Sequence, residues 1–308
     1  MFEVLASVDV FVPSAQKAFD VLQNPLGLYE PRGIWYQDWP EWGFDARWCR
    51  VNLDLSVAPT HFEIIAPTPA PDLNLDHPHM QRMFEAQGTR LHKTHSTPVA
   101  VLDVDEIARR LSRVGATFRI DEPAEKMPFP RLWVGYTREL PGVYNPSSDG
   151  GLHLEFIPAL GFPVVDKAVQ PLQDGHPVRR ISRRSILVDN LEETLRTVDR
   201  NLGWSPSSAV RRRGADRVAT FTFDHPNSAV LDVVEAGEDG PARDYRQAWG
   251  IGPYGISLEV DTLEPVAAAL HEAGWIDEQL PPGPIRPDHR MTFGAQFDFH
   301  LSADKEIV

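Results

Sequence analysis

The chain has 308 residues, 42% hydrophobic and 24% charged, which is apolar material for one or two cores at about twice the usual single-domain length. Its 30 Lys and Arg against 44 Asp and Glu leave a net charge of −14, a field that repels nucleic-acid phosphates and anionic membranes. A single cysteine, Cys49, excludes an internal disulfide and a Cys-x-x-Cys zinc site, and 28 prolines point to many rigid turns between short elements. The opening stretch MFEVLASVDVFVPSAQ has no basic n-region and no long apolar core, and no apolar run long enough to span a bilayer occurs, so a cytoplasmic protein is expected.

In chain order, residues 8–14 (VDVFVPS) alternate like a half-buried strand, and 14–28 follow with helical spacing of Ala18, Phe19 and Leu22 behind Ser14, an N-cap residue type. The stretch 33–48 (GIWYQDWPEWGFDARW) carries four of the eight tryptophans, Trp35, Trp39, Trp42 and Trp48, and reads either as core or dimer packing or as a wall for a planar substrate. A strand pattern, HFEIIAP, fills 61–67, and 77–96 add His77, His79, Met80, Met83 and His95. Strand and helix recur over 97–118, with the helix stopping at Gly115, and HLEFIP at 153–158 closes this half.

After the Pro- and Gly-punctuated segment 158–177 the same order returns. A strand at 184–190 leads into a helix at 190–204 capped by Asn190, AVLDVVEAG covers 229–237, a second strand and helix span 255–275, and QFDFHLS ends the pattern at 296–302. The sequence is therefore four copies of strand, helix and several strands, grouped as 1–165 and 178–308. Equivalent points of the two halves draw closer along the chain, from the pair Val12 and Val188 to the pair Glu155 and Asp298, so the first half is the longer and holds its surplus in its connections. Connections absorb insertions cheaply and tend to carry binding residues.

Four βαβββ modules with capped helices ending in Leu-Gly or Ala-Gly, closing on an acidic residue followed by Ile or Val and Pro, resemble the vicinal oxygen chelate superfamily of glyoxalases, extradiol dioxygenases and bleomycin resistance proteins. The resemblance implies an α+β fold of two tandem glyoxalase-like domains, each a cup-shaped mixed sheet with helices outside and substrate and metal inside. Strand period two then turns Ser7, Asp9 and Phe11 inward and Val8, Val10 and Val12 toward a helix. His61 with Glu63, and His153 with Glu155, each share one face of a closing strand, and Glu63 and Glu155 match the family's recurrent acidic ligand.

Such nitrogen and oxygen donors suit Fe, Mn, Ni or Zn. The chain departs from the family at the opening strands, where Ser7 and Ser96 hold the usual first-ligand places, leaving Asp9 or His95 as substitutes. The second cup offers Arg183, Asp232, Gly255 and Asp298, a set expected to be metal-free, in which Arg183 is placed to clamp an anionic group. Three functions stay open. One is a divalent-metal-dependent lyase, isomerase or ring-cleaving dioxygenase for a small, aromatic or hydrophobic, oxygen-bearing substrate, with Glu63 and Glu155 as ligands or base and Trp35, Trp39 and Trp42 as the substrate wall. Another is a metal-free drug-sequestering protein, and the third a cofactorless enzyme using a buried Glu–His pair. A homodimer is an assembly that the resemblance allows. No Gly-rich phosphate loop, G-x-S-x-G elbow or His-Glu-x-x-His motif occurs.

Overall fold

A computed structural model gives the fold and describes residues 1–11, 14–28, 37–39, 44–52, 54–67, 97–123, 128–139, 143–159, 177–277, 284–287 and 296–302. The architecture is α+β, with few helices against curled mixed sheets. The first strand is divided into β1 (Phe2–Leu5) and β2 (Ser7–Phe11). Helix α1 (Ala15–Leu26) follows, with Ser14 Oγ accepting from the Lys17 N–H and Gly27 ending it in the left-handed region at φ 63°. Strands β3 (Gln37–Trp39), β4 (Phe44–Cys49) and β5 (His61–Pro67) complete a sheet ordered β2-β5-β4-β3.

The second unit is β6 (Thr97–Val101), α2 (Val104–Val114), β7 (Phe118–Asp121), β8 (Arg131–Val134) and β9 (Leu154–Pro158). Its sheet runs β1-β6-β9-β8-β7, so the opening strand serves both units. Ala6 is the reason: its N–H donates to Pro98 O at 2.8 Å while its C=O accepts from the His61 N–H at 2.9 Å. One residue thus faces β6 with its donor and β5 with its acceptor, and the strand splits there.

The third unit is β10 (Val178–Val188), α3 (Leu191–Leu202), β11 (Arg211–Arg213), β12 (Asp216–Phe221) and β13 (Val230–Glu235). Asn190 caps α3 by accepting from the Glu193 N–H. A helix that the sequence pattern does not anticipate, α4 (Pro241–Trp249), comes next. Then follow β14 (Gly252–Val260), α5 (Glu264–Glu272) and β15 (Gln296–Leu301). The strands join in one sheet, β11-β12-β13-β10-β14-β15, in which β10 runs unbroken and pairs with both β13 and β14.

Alternation decides which face meets the helices. Val8, Val10, Phe62, Ile64, Val99 and Phe156 join Leu22 and Leu111 in the main apolar cluster, together with Ile186, Val233, Leu258, Phe299, Leu202 and Leu270 of the second half. The halves therefore share one core. The segment 160–176, where the sequence places the boundary between them, lies outside the described residues. Polar stitching adds to this junction: Leu5 N–H donates to Ser228 Oγ at 2.9 Å, Ala229 N–H to Thr60 Oγ1 at 3.0 Å, and Arg110 Nη1 to Leu202 O at 3.0 Å. Gly150 marks another close approach, because at φ 72° a Cβ would stand 2.8 Å from Thr194 Cα on α3. Among the described residues no helix is long and apolar enough to cross a membrane.

Candidate functional site

The face opposite α1 and α2 is the inner face of the N-terminal cup. Ladder register sets Ser7 beside His61, Asp9 beside Glu63, and Trp48 beside Glu63 from the other side. The second unit contributes a matching row, Pro98, Glu155 and Trp133. Asp9, Glu63 and Glu155 are all buried, and Ser7 Oγ donates to Asp9 at 2.5 Å. Burial pushes the Glu63 carboxyl well above its ordinary value, and the charges of Asp9 and Glu155 add to that. A hydrogen bond donated by Trp48 and the Arg131 guanidinium pull the other way. The two glutamates singled out in the sequence therefore feel one another across the two closing strands.

Glu155 meets Arg131 Nη1 at 4.0 Å. That guanidinium lies 5.2 Å from the centre of the Trp133 ring, with Arg119 at 5.8 Å. Asp121 draws the group together by accepting from Arg119 at 2.7 Å and Trp133 Nε1 at 2.9 Å. None of these four was singled out by sequence reasoning. Their signal was the alternation of Arg119 and Asp121 with Phe118 and Ile120 in FRID (118–121), and the position of Arg131 and Trp133 two apart in RLWV (131–134), which puts all four on one face.

His61 is buried beside Trp48, ring centres 4.8 Å apart, with Nδ1 3.1 Å from Ala6 O. A carbonyl only accepts, so Nδ1 carries the proton. Burial first, and then Arg50, hold the imidazole well below its ordinary pKa and hence neutral. His153 departs from the expected strand face. It precedes β9, sits at φ 52°, stacks on Tyr144 at 3.9 Å and places Nδ1 3.2 Å from Tyr136 OH.

The cause is the turn before it, in which the Asp149 carboxylate accepts from Leu154 N–H at 2.8 Å, Gly151 N–H at 3.1 Å and Tyr144 OH. Trp35, Trp42 and His95 lie outside the described residues, and Trp39 is described only as a backbone position of β3, opposite Phe44.

Asp149 gives the turn a pH signature. Burial raises its carboxyl to about 6, outweighing the hydrogen bonds it accepts. A raised carboxyl contributes stability that is present in full below its unfolded value and is lost as pH rises through the folded one. Between pH 4 and 6 this group should lower the unfolding free energy by up to about 1.4 kcal/mol per pH unit. Asp149→Asn, although less stable by about 1–3 kcal/mol for its lost acceptor, should remove that slope. Urea unfolding at several pH values checks this, and parallel profiles for the two proteins would refute it.

In the second cup Asp232 stands where Glu63 stands in the first. It is fully buried, with Oδ1 accepting from Thr220 Oγ1 at 2.6 Å and Oδ2 from Arg213 at 3.1 Å and from Arg183, with Arg211 at 3.8 Å. Helix α4 packs Ala242 and Tyr245 on Leu187, Val218 and Val234, on the sheet face that Asp232 shares. Gly240 before Pro241 at the first helical turn was the available signal for α4.

Carboxylate oxygens and a neutral imidazole are chemically apt for a divalent ion. Among the described residues, however, no three His, Cys, Asp or Glu side chains come together to hold one. His61, with Nδ1–H on the Ala6 carbonyl, could donate to a metal only through Nε2, and His153 belongs to the Tyr136–Tyr144 cluster. The described donors do not form a metal centre.

No family model and no curated protein sequence matches this chain. Solved structures do. A mutant 4-hydroxymandelate synthase from Streptomyces coelicolor superposes with TM-score 0.61 at 13% identity, over 98% of this chain and 93% of that one. The halotolerant catechol dioxygenase BphC gives 0.57 at 11%, over 98% and 87%. A TIM barrel/4-hydroxyphenylpyruvate dioxygenase fusion gives 0.60 at 10%, over 98% of this chain and 49% of the fusion. At such identities the likeness is one of fold.

Proposed function

We propose, on the premise that this chain is built on the vicinal oxygen chelate fold, that its N-terminal cup is the centre of an enzyme acting on a small oxygen-bearing substrate. In this reading Glu63 is the proton-transfer group. The observation that carries it is the burial of Glu63 among Asp9, Glu155 and Trp48, which raises its carboxyl far above the ordinary range. A carboxylate made more basic by burial is suited to take a proton from carbon next to a carbonyl. The C–H electron pair becomes the carbon–carbon double bond as the carbonyl π pair moves to oxygen, giving an enolate, and Glu63, after exchanging its proton with solvent, returns one to the same carbon as the carbonyl re-forms. Trp48 orients the carboxyl, and Arg131 supplies positive charge for the developing oxyanion. Neutral His61 adds no competing charge. Each of these roles is filled by side chains of this chain.

Solvent deuterium incorporation into a panel of small aryl- and alkyl-substituted hydroxyketones and 2-oxo acids, followed by NMR, tests the reading. Exchange should persist in chelator, increase as pH rises, and be abolished in Glu63→Gln. Exchange that survives Glu63→Gln, or none with any substrate, would refute it. Stoichiometric metal in protein purified without chelators, lost from the Glu63→Ala, Glu155→Ala double variant, would replace proton transfer by chelation at the same carboxylates.

A further inference from the structure

We propose that the open end of the C-terminal cup binds a small oxyanion, a carboxylate or phosphate group, through Arg183, Arg211 and Arg213. The site is separate from the N-terminal cup and does not depend on the role of Glu63. Strands β10 and β11 bring the three guanidiniums to one atom, Oδ2 of Asp232, by hydrogen bonds from Arg183 and Arg213 (the latter 3.1 Å) and an approach of 3.8 Å by Arg211. The other oxygen, Oδ1, is taken by Thr220.

Asp232 has no exposed surface, whereas the three arginine side chains keep 29%, 51% and 42% of theirs, so a buried carboxylate anchors guanidiniums whose outer edges meet solvent. Each guanidinium carries five N–H donors in a rigid plane, and one carboxylate oxygen satisfies only a few of them.

The charge balance points the same way. Three positive groups on one negative group leave an excess of two positive charges at this point, within a chain of net charge −14. A single arginine would neutralise Asp232, and two more crowd like charges together at an electrostatic cost that a bound anion relieves. Of the neighbouring carboxylates two face other arginines, and Asp216, opposite Arg213 in the ladder, keeps its charge and offsets part of that excess. Asp298 faces Arg286 at 3.5 Å, Glu259 is held by Arg180 at 2.6 Å, and Asp216 accepts from the Gly237 N–H at 3.0 Å. Helix α4 packs on Val218 and Val234, beside Arg211 and Asp232 on the sheet, and so narrows the space for a ligand to that of a small molecule. The acidic surface beyond disfavours a polyanion.

Isothermal titration calorimetry of the whole protein at constant ionic strength tests the site, with inorganic phosphate and benzoate as probes and benzamide as the neutral control. At least one anion should bind saturably, benzamide should not, and affinity should weaken tenfold or more in Arg211→Gln and in Arg213→Gln. Arg211→Gln leaves Asp232 paired with Arg183 and Arg213, so it keeps the fold, which circular dichroism would establish. Binding of phosphate alone or of benzoate alone supports the site and identifies its ligand class. No saturable binding of either anion, equal binding of benzamide, or affinities within twofold of the native protein in both folded variants would overturn the proposal.

Discussion

Glu63→Gln should fold with higher stability than the native protein at neutral pH and lose at least a hundredfold of any proton-transfer activity. The stability gain follows from the sign of the shift. Burial, Asp9 and Glu155 raise the Glu63 carboxyl, so the fold favours its neutral form. The stability it contributes is present in full below the ordinary carboxylate range and is lost as pH rises through the elevated folded value. A glutamine has the shape of the neutral acid and never ionises, so it escapes that loss. The gain should be about 1–2 kcal/mol, the common return for relieving an unfavourable functional group, and should be larger at pH 8 than at pH 5. Chemical unfolding at the two pH values, beside deuterium exchange, measures both halves of the expectation. A variant less stable than the native protein at both values would show that the Glu63 carboxylate is stabilised by its surroundings.

Asp232→Ala should carry the largest stability cost in the second half. It removes the one carboxylate that Arg183, Arg211 and Arg213 share and leaves their charges facing one another. Breaking a buried ion pair from one side typically costs several kcal/mol, and partial exposure of the arginines reduces this to about 2–4 kcal/mol. For a chain of this length the midpoint of thermal unfolding should fall by roughly 4–12 °C. The deficit should shrink in high salt, which screens repulsion among the guanidiniums. Equal deficits at low and high salt would mean that lost packing, and not charge, dominates.

The reach of local chemistry explains what the sequence revealed. Ser14 and Asn190 cap α1 and α3 as expected, and Gly27 and Gly203 end them, because a cap is decided within a few residues. The alternation of Val8 and Val10 with Ser7 and Asp9 separated the helix-facing side from the cup, since strand geometry fixes that choice one residue at a time. Glu63 and Glu155 were identifiable for the same reason.

His153 was misplaced because the left-handed turn ahead of β9 is organised by Asp149, Tyr144 and two glycines, and HLEFIP reads as an uninterrupted strand without them. The division of the first strand at Ala6 depends on two partners, Pro98 and His61, that lie far along the chain on two different strands. Helix α4 escaped notice because it is short and its local signal, Gly240 ahead of Pro241, also fits a turn.

By itself the sequence determined an α+β chain of recurring strand and helix units, its net negative charge, and the shared strand faces of Ser7 with Asp9 and of His61 with Glu63, since periodicity, caps and charge are properties of neighbours along the chain. Only the tertiary structure decided what those residues do to one another. It set Glu63 within the field of Asp9 and Glu155, turned His61 to the Ala6 carbonyl, and joined the two halves through one core. It also gathered three arginines on Asp232. These outcomes rest on distances between residues far apart in the chain, and burial, which strengthens each of those interactions, exists only once the sheets have closed.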